Sequence, residues 1–399
     1  MPRLKQNNFY FVIPALSIAG FSCAYALAHI HSRRRRSNQK SSSVGGYESL
    51  IGNTSLIKLQ KLSNMIQRDI FVKMESMNPG GTGKDRAAFA MISKAEEDGL
   101  LPKGGGGVVV EGTSGSTGIA LAAICNTHGH ECIIVMPDDQ ALEKQDLLRH
   151  LGAKVNIVKC AAISNPDHYV NVARQIAKDL SDCGKCAFFT NQFENEANFV
   201  AHYTTTGPEI WAQTGGKIDS FVMSSGTGGT ISGVGVYLKE QKKDVKIILV
   251  DPPGSSLFSK VKYGVAYTSE QKEQGIRRHR YDTIAEGIGL DRVTHNFSLG
   301  LQHGAIDDAI FITDQEAVEM AHWLIREEGF FVGSSSAMNI IGAVKAAMEM
   351  KKGSQIVTVI CDSGQRHITR FWNKKFIELR GLAWPEKCPF LGKYLQNCT

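Results

Sequence analysis

No disulfide framework runs through this sequence. Its nine cysteines are an odd number scattered over 399 residues, and a reducing compartment suits them best. Cys183 and Cys186 form an isolated C-x-x-C. A zinc or redox reading would need a second pair or a thioredoxin-like strand–helix context, and neither is evident. Glycine is abundant, at 40 residues, but without a period, which excludes collagen-like and solenoid architectures. A real excess of charge is missing too. The formal net charge is +6, and Arg33, Arg34, Arg35 and Arg36 supply much of it. The remainder is near neutral, so no nucleic-acid surface is indicated. At 42% hydrophobic and 21% charged residues the balance is that of a globular protein. The length favours two domains over one core.

Charge is absent from one long stretch. Phe9 to Ile30 holds no Lys, Arg, Asp or Glu, and basic residues flank it on both sides. A helix of that length reaches about 33 Å, enough to cross a bilayer. It is long for a cleaved secretory signal, and it lacks the Arg-rich amphipathic pattern of a presequence. It therefore reads as an uncleaved anchor, with a helix at about 9–30 and a polar Ser/Gly linker after it. The Arg run places the catalytic body in the cytosol. Such a moderately apolar anchor suits the mitochondrial outer membrane.

From Tyr47 onward, short apolar runs alternate with helical stretches. Glu131–Met136, Ser220–Met223, Val245–Val250 and Ile356–Ile360 read as buried strands. That alternation implies α/β units around parallel sheets. Ligands then bind in loops at the carboxyl ends of strands, and the polar glycine-rich segments fall there.

Asn78 to Arg86 holds a Gly-Lys pair, but it is not a nucleotide loop. Asp85 stands where a magnesium-binding hydroxyl belongs, and Asn78 where the first glycine belongs. It reads instead as a tight turn that sets Lys84 at a helix start. The positive end of the helix favours a neutral amine, the form a covalent carbonyl chemistry uses. Glu111 to Gly118 offers N–H and O–H donors suited to a carboxylate. Ser224 to Thr230 reads as a phosphate cradle. Its third-glycine position is Ile231, so it is no dinucleotide fingerprint. Cys361-Asp362-Ser363-Gly364 follows the last buried strand.

Together these segments resemble the cysteine synthase family of fold-type II pyridoxal-phosphate enzymes, which includes cystathionine β-synthase. The resemblance spans roughly Tyr47 to Arg370. It also takes in Ile51 to Thr54, Asn191 to Phe193, Thr206 to Trp211 and Glu286 to Gly289. It is greatest to mitochondrial, membrane-anchored cysteine synthase-like members.

The resemblance implies two α/β domains with mainly parallel sheets and the cofactor in the cleft between them. Residues 1–43 would be anchor and linker. Residues 44–199 would carry the Schiff-base lysine and substrate loop, and residues 200–399 the phosphate loop. Lys84 would bind pyridoxal 5′-phosphate and move the Cα proton. Gly226, Thr227, Gly228, Gly229 and Thr230 would hold its phosphate, and Ser363 would face its ring nitrogen. Thr113, Ser114, Gly115, Thr117, Gln192 and Gly287 would bind the amino-acid substrate. Ser116 stands where the family usually has an asparagine that donates to the cofactor's 3′ oxygen, which bears on rate and reaction preference. The implied reaction is O-acetylserine plus sulfide to cysteine and acetate, by β-elimination and replacement through an α-aminoacrylate. Cysteine desulfhydration, another β-replacement, or a catalytically weak membrane-tethered cofactor-binding role are the alternatives. A homodimer is implied, with no metal. No haem-binding segment or large regulatory domain is expected.

Overall fold

The computed structural model describes residues 45–268 and 283–386. The expected anchor and linker, residues 1–43, lie outside them. Among the described residues no helix is long and apolar enough to cross a membrane.

Among the described residues ten strands form two sheets. They are β1 (Leu56–Lys58), β2 (Asp69–Met74), β3 (Val108–Gly112), β4 (Glu131–Pro137), β5 (Lys154–Val158), β6 (Ala187–Phe189), β7 (Ser220–Ser224), β8 (Lys246–Asp251), β9 (Asp308–Phe311) and β10 (Gln355–Ile360). The larger sheet runs β1-β2-β10-β7-β8-β9 and the smaller β5-β4-β3-β6. Every pairing is parallel except β1 with β2. The mainly parallel α/β expectation agrees with this.

Side-chain alternation fills a core on each face of the larger sheet. Ile70, Val72, Val222 and Ile360 pack to one side. Phe221, Leu249, Val357 and Val359 pack to the other, as the two-residue strand period dictates. β3 and β7 are buried at every position, which is usual where helices cover both faces.

Both sheets belong to one contact unit that begins at Gly46. The sheets do not divide at residue 199: β1 and β2 precede it and join the larger sheet. β10 supplies the reason. Its Ile356, Val357 and Thr358 register with Ile70, Phe71 and Val72 of β2, while its other edge pairs with β7. A last strand seated between two earlier ones ties the chain's halves into one sheet.

Six helices matter to the site: α1 (Lys84–Glu97), α2 (Ser116–His128), α3 (Leu142–His150), α4 (Tyr169–Asp182), α5 (Gly229–Gln241) and α6 (Ser334–Met348). α2 is buried without a break from Thr117 to Cys125 and α6 almost throughout. Both therefore read as interior helices rather than amphipathic covers.

Candidate active site

Parallel register places the carboxyl ends of β2, β10 and β7 side by side, and the segments that follow them converge on two adjoining cavities. Lys84, Ser116, Gly226, Thr227, Glu286, Gly287, Ile288 and Asp362 line both.

Lys84 is the first residue of α1. The preceding turn closes with Gly81 N–H donating to the Asn78 carbonyl at 2.7 Å, and Gly81 has φ of +77°. Asp85 accepts from Gly80 N–H at 2.8 Å. A Cβ at Gly80 would lie 2.2 Å from Asp85 Oδ1, so that position has room only for glycine. Lys84 keeps some surface open to the cavity, yet its surroundings are dense. Burial pushes its pKa down, against Cys361, Asp362 and Glu75. Burial thus favours the neutral amine.

Beneath it lies a buried ion-pair network. Arg86 donates to Glu75 and Glu209, and Lys73 donates to Glu209 at 2.7 Å. Burial opposes the Glu75 charge, but Arg86 dominates and holds its pKa at about 2.

The β7–α5 loop forms the second wall. Ser224, Ser225, Gly226, Thr227, Gly228 and Thr230 line the smaller cavity, whereas Gly229 is not among its lining residues. A Cβ on Gly229 would strike Asn198 Oδ1 at 2.2 Å, so this glycine serves packing. Gly228 has φ of +88°. The Ser224 and Ser225 hydroxyls are buried without hydrogen-bond partners. Thr230 Oγ1 lies 3.0 Å from Nε2 of His202, a lining residue that opens a π-helical turn, His202–Thr206. Burial, with Arg86 adding to it, lowers the His202 pKa to about 3, so the ring is neutral.

Thr113, Ser114, Thr117, Gln192 and Gly287 line the larger cavity; Gly115 is not among its lining residues. Gly115 has φ of +137°, and the Lys144 side chain packs against it. Thr117 Oγ1 donates to Gln192 Oε1 at 2.6 Å. Gln192 Nε2 donates to the Gly112 carbonyl at 3.2 Å. Ser116, at the start of α2, lines both cavities.

Ser363 is outside this set. Its hydroxyl accepts from Gln365 N–H at 3.3 Å, capping a short 3-10 turn, and its backbone bridges to Val332. It lines neither cavity. Ser335, buried in the first turn of α6, lines the smaller cavity instead. The sequence carries its signal, a Gly333-Ser334-Ser335-Ser336 run opening a helix, the same pattern that marks Glu111 to Gly118.

A charged array closes the larger cavity. Lys144 pairs with Glu286. His367 Nε2 meets Asp362 Oδ2 at 2.9 Å, and its Nδ1 faces Glu286 at 3.7 Å. Burial alone would discharge His367, but Asp362 overcomes it and raises its pKa to about 9.

Glu96, His128 and His130 also gather ligand-type atoms. Gly107 N–H donates to His130 Nδ1 at 3.1 Å. The proton of that neutral ring therefore sits on Nε2, which meets Glu96 at 3.0 Å. This is a hydrogen bond, not an open lone pair for a metal.

Residues 47–362 match the family model described as pyridoxal-phosphate dependent enzyme, and the chain belongs to that family. It is 49% identical to cysteine synthase 2 of Neurospora crassa over 82% of this chain and 73% of that protein. It is 46% identical to cysteine synthase 2 of Schizosaccharomyces pombe, over 85% of this chain and 86% of that one. Among solved structures, a hydrogen sulfide-producing enzyme of Fusobacterium nucleatum superposes with a TM-score of 0.68. The two share 32% identity over 82% of this chain and all of the other.

The site fits the family's cofactor. Two buried hydroxyls without partners and a helix N-terminus at Ser224 to Thr230 suit the cofactor's phosphate. A Cβ on Gly287 would meet nothing within 4 Å, so that glycine leaves cavity space open. A lysine with lowered pKa faces the same space.

Proposed function

We propose that this chain is a cysteine synthase that converts O-acetylserine and sulfide to cysteine and acetate. The observation that carries the proposal is that Lys84, its pKa lowered by burial, lines one cavity with the partnerless hydroxyls of Ser224 and Ser225. Lys84 would hold pyridoxal phosphate covalently. Ser224, Ser225, Thr227 and Thr230, with the backbone of Gly226 to Gly229, would hold the phosphate. Ser335, in place of Ser363, would present its hydroxyl to the ring nitrogen. A serine is a weak proton donor there, and this favours β-elimination and replacement over transamination.

When bound, the cofactor supplies the sink for the electron pair left on Cα. The other tasks fall to the chain. Thr113, Ser114, Thr117 and Gln192 orient the substrate carboxylate. Freed when the substrate's amine replaces it, Lys84 would take the Cα proton; the acetate leaves from Cβ with its bonding pair, sulfide adds at Cβ, and Lys84 returns the proton.

A desulfhydrase reading has one support, the likeness to the sulfide-producing enzyme. Purified protein given O-acetylserine and sulfide should release cysteine and acetate. Sulfide release from cysteine alone at a higher rate would reverse the assignment.

We also propose a homodimer tethered to the mitochondrial outer membrane with its body in the cytosol. The tether is supported by the uncharged run Phe9 to Ile30 followed by Arg33 to Arg36, and the dimer only by the family resemblance. Removing residues 1–43 should leave a soluble, active body. Membrane retention of that truncation after alkaline extraction would overturn the tether.

A further inference from the structure

Lys84 has a cost to meet when it does its work. A neutral amine in dense surroundings becomes an ammonium once it takes the substrate's proton, and a buried cation without a partner is expensive. The lining of its cavity contains one carboxylate suited to that moment. Asp362 follows β10 and is 6% exposed. Its Oδ2 is held by His367 Nε2 at 2.9 Å. Its Oδ1 is buried with no hydrogen-bond partner. Asp362 and Lys84 line both cavities together, and the Asp362 charge acts on Lys84.

The other carboxylates of the smaller cavity are less free. Glu286 pairs with Lys144 through one oxygen and has Arg370 at 3.5 Å from the other. Glu75 is clamped by Arg86.

The Asp362–His367 pair is also fixed in place. Ser336 Oγ accepts from the backbone N–H groups of Cys361 and Asp362. A Cβ on Gly333 would lie 2.2 Å from Asp362 Oδ1 and 2.6 Å from His367 Nε2. The pair is thus packed directly on the chain entering α6.

We propose that Asp362, backed by His367, is the counter-ion that receives the Lys84 ammonium while Lys84 carries the substrate's proton. The proposal rests on Lys84 being the base. In that step the Cα–H bond breaks, an N–H bond forms on Lys84, and the bonding pair stays on carbon. Asp362 accepts a hydrogen bond and takes no proton, because His367, Lys144 and Arg366 together hold it ionised. Asp362 and His367 are positioning residues acting through Lys84. The titratable and charged groups around them are Lys144 and Arg366 facing Asp362, Glu286 and Lys144 facing His367, and Glu75 with the neutral Cys361 thiol facing Lys84.

The test uses full-length apoenzyme, with the pH dependence of Lys84 acylation read by mass spectrometry. Asp362→Asn should lower the labelling midpoint by about one pH unit, because an opposite charge is lost. His367→Gln should raise it, because the imidazolium no longer neutralises Asp362. Opposite signs are not what general damage produces. In loaded enzyme, Asp362→Asn should also lower kcat with KM little changed and increase the isotope effect with α-deuterated substrate. Thermal unfolding identifies a variant that fails to fold; the other variant then carries the test. A midpoint that stays put in a folded variant would overturn the proposal. If Lys84→Ala retains the cofactor's visible band, the underlying reading of Lys84 fails instead, and the two failures are distinct.

Discussion

Arg86 grips Glu75 through two parallel hydrogen bonds, Nε to Oε2 and Nη2 to Oε1, each at 2.8 Å. Both side chains are at most 2% exposed, and Arg86 lies two positions beyond Lys84 in the same helix. The clamp therefore fixes the turn that presents the lysine.

Replacing Arg86 with Met leaves Glu75 buried and unpaired. The expected loss is about 3–5 kcal/mol, read by denaturant unfolding at neutral pH. Glu75 has a folded pKa of about 2, well below its ordinary value of 4.5. Its contribution is present above 4.5 and is lost as pH falls through 2. An unchanged stability slope across that window in Arg86→Met would contradict this account.

Lys84→Ala should abolish the visible absorbance of the bound cofactor while far-UV circular dichroism stays native. Turnover should fall by at least about 10²–10⁴-fold, the range of a lost general acid–base group. A variant with its band intact would exclude Lys84 as the attachment point.

The two serines make a paired prediction. Ser335→Ala should shift the cofactor spectrum and reduce turnover, because Ser335 lines the cavity. Ser363→Ala should lose only a cap, about 0.5–2 kcal/mol of stability, with the spectrum unmoved. The reverse pattern would restore Ser363 to the ring nitrogen.

Asp251 predicts a pH effect of opposite sign to that of Glu75. Burial raises its pKa from 3.8 to about 7, and hydrogen bonds from Ser255, Phe258 and Leu257 only partly resist. Between those values the unfolded chain is ionised and the folded one protonated, so this residue's contribution declines as pH rises from about 4 to 7. Asp251→Asn should flatten that part of the stability curve. An identical curve for the variant would show that Asp251 is ionised in the folded state.

Much of the site was legible locally. The Gly80-Gly81 turn before Lys84 and the strand–loop–helix segments at Glu111 and Ser224 each carry their own signal. A positive φ, a helix start or a run of small hydroxyl residues depends on neighbours in the chain. Ser363 was not assignable in that way. It and Ser335 occupy similar short polar segments, and local chemistry does not say which hydroxyl turns inward. Lys144, Glu286 and His367 were illegible for the same reason: their pairing spans three distant segments.

The sequence alone determined the reactive amine, the anion-binding loops and the alternation that builds parallel sheets, because each follows from short-range geometry. Tertiary structure decided which side chains face the cavity. Seating β10 between β2 and β7 brings Asp362 and Ser335 to Lys84 and leaves Ser363 capping a turn. That choice rests on long-range strand register and close packing, which fix where each buried polar atom must find a partner.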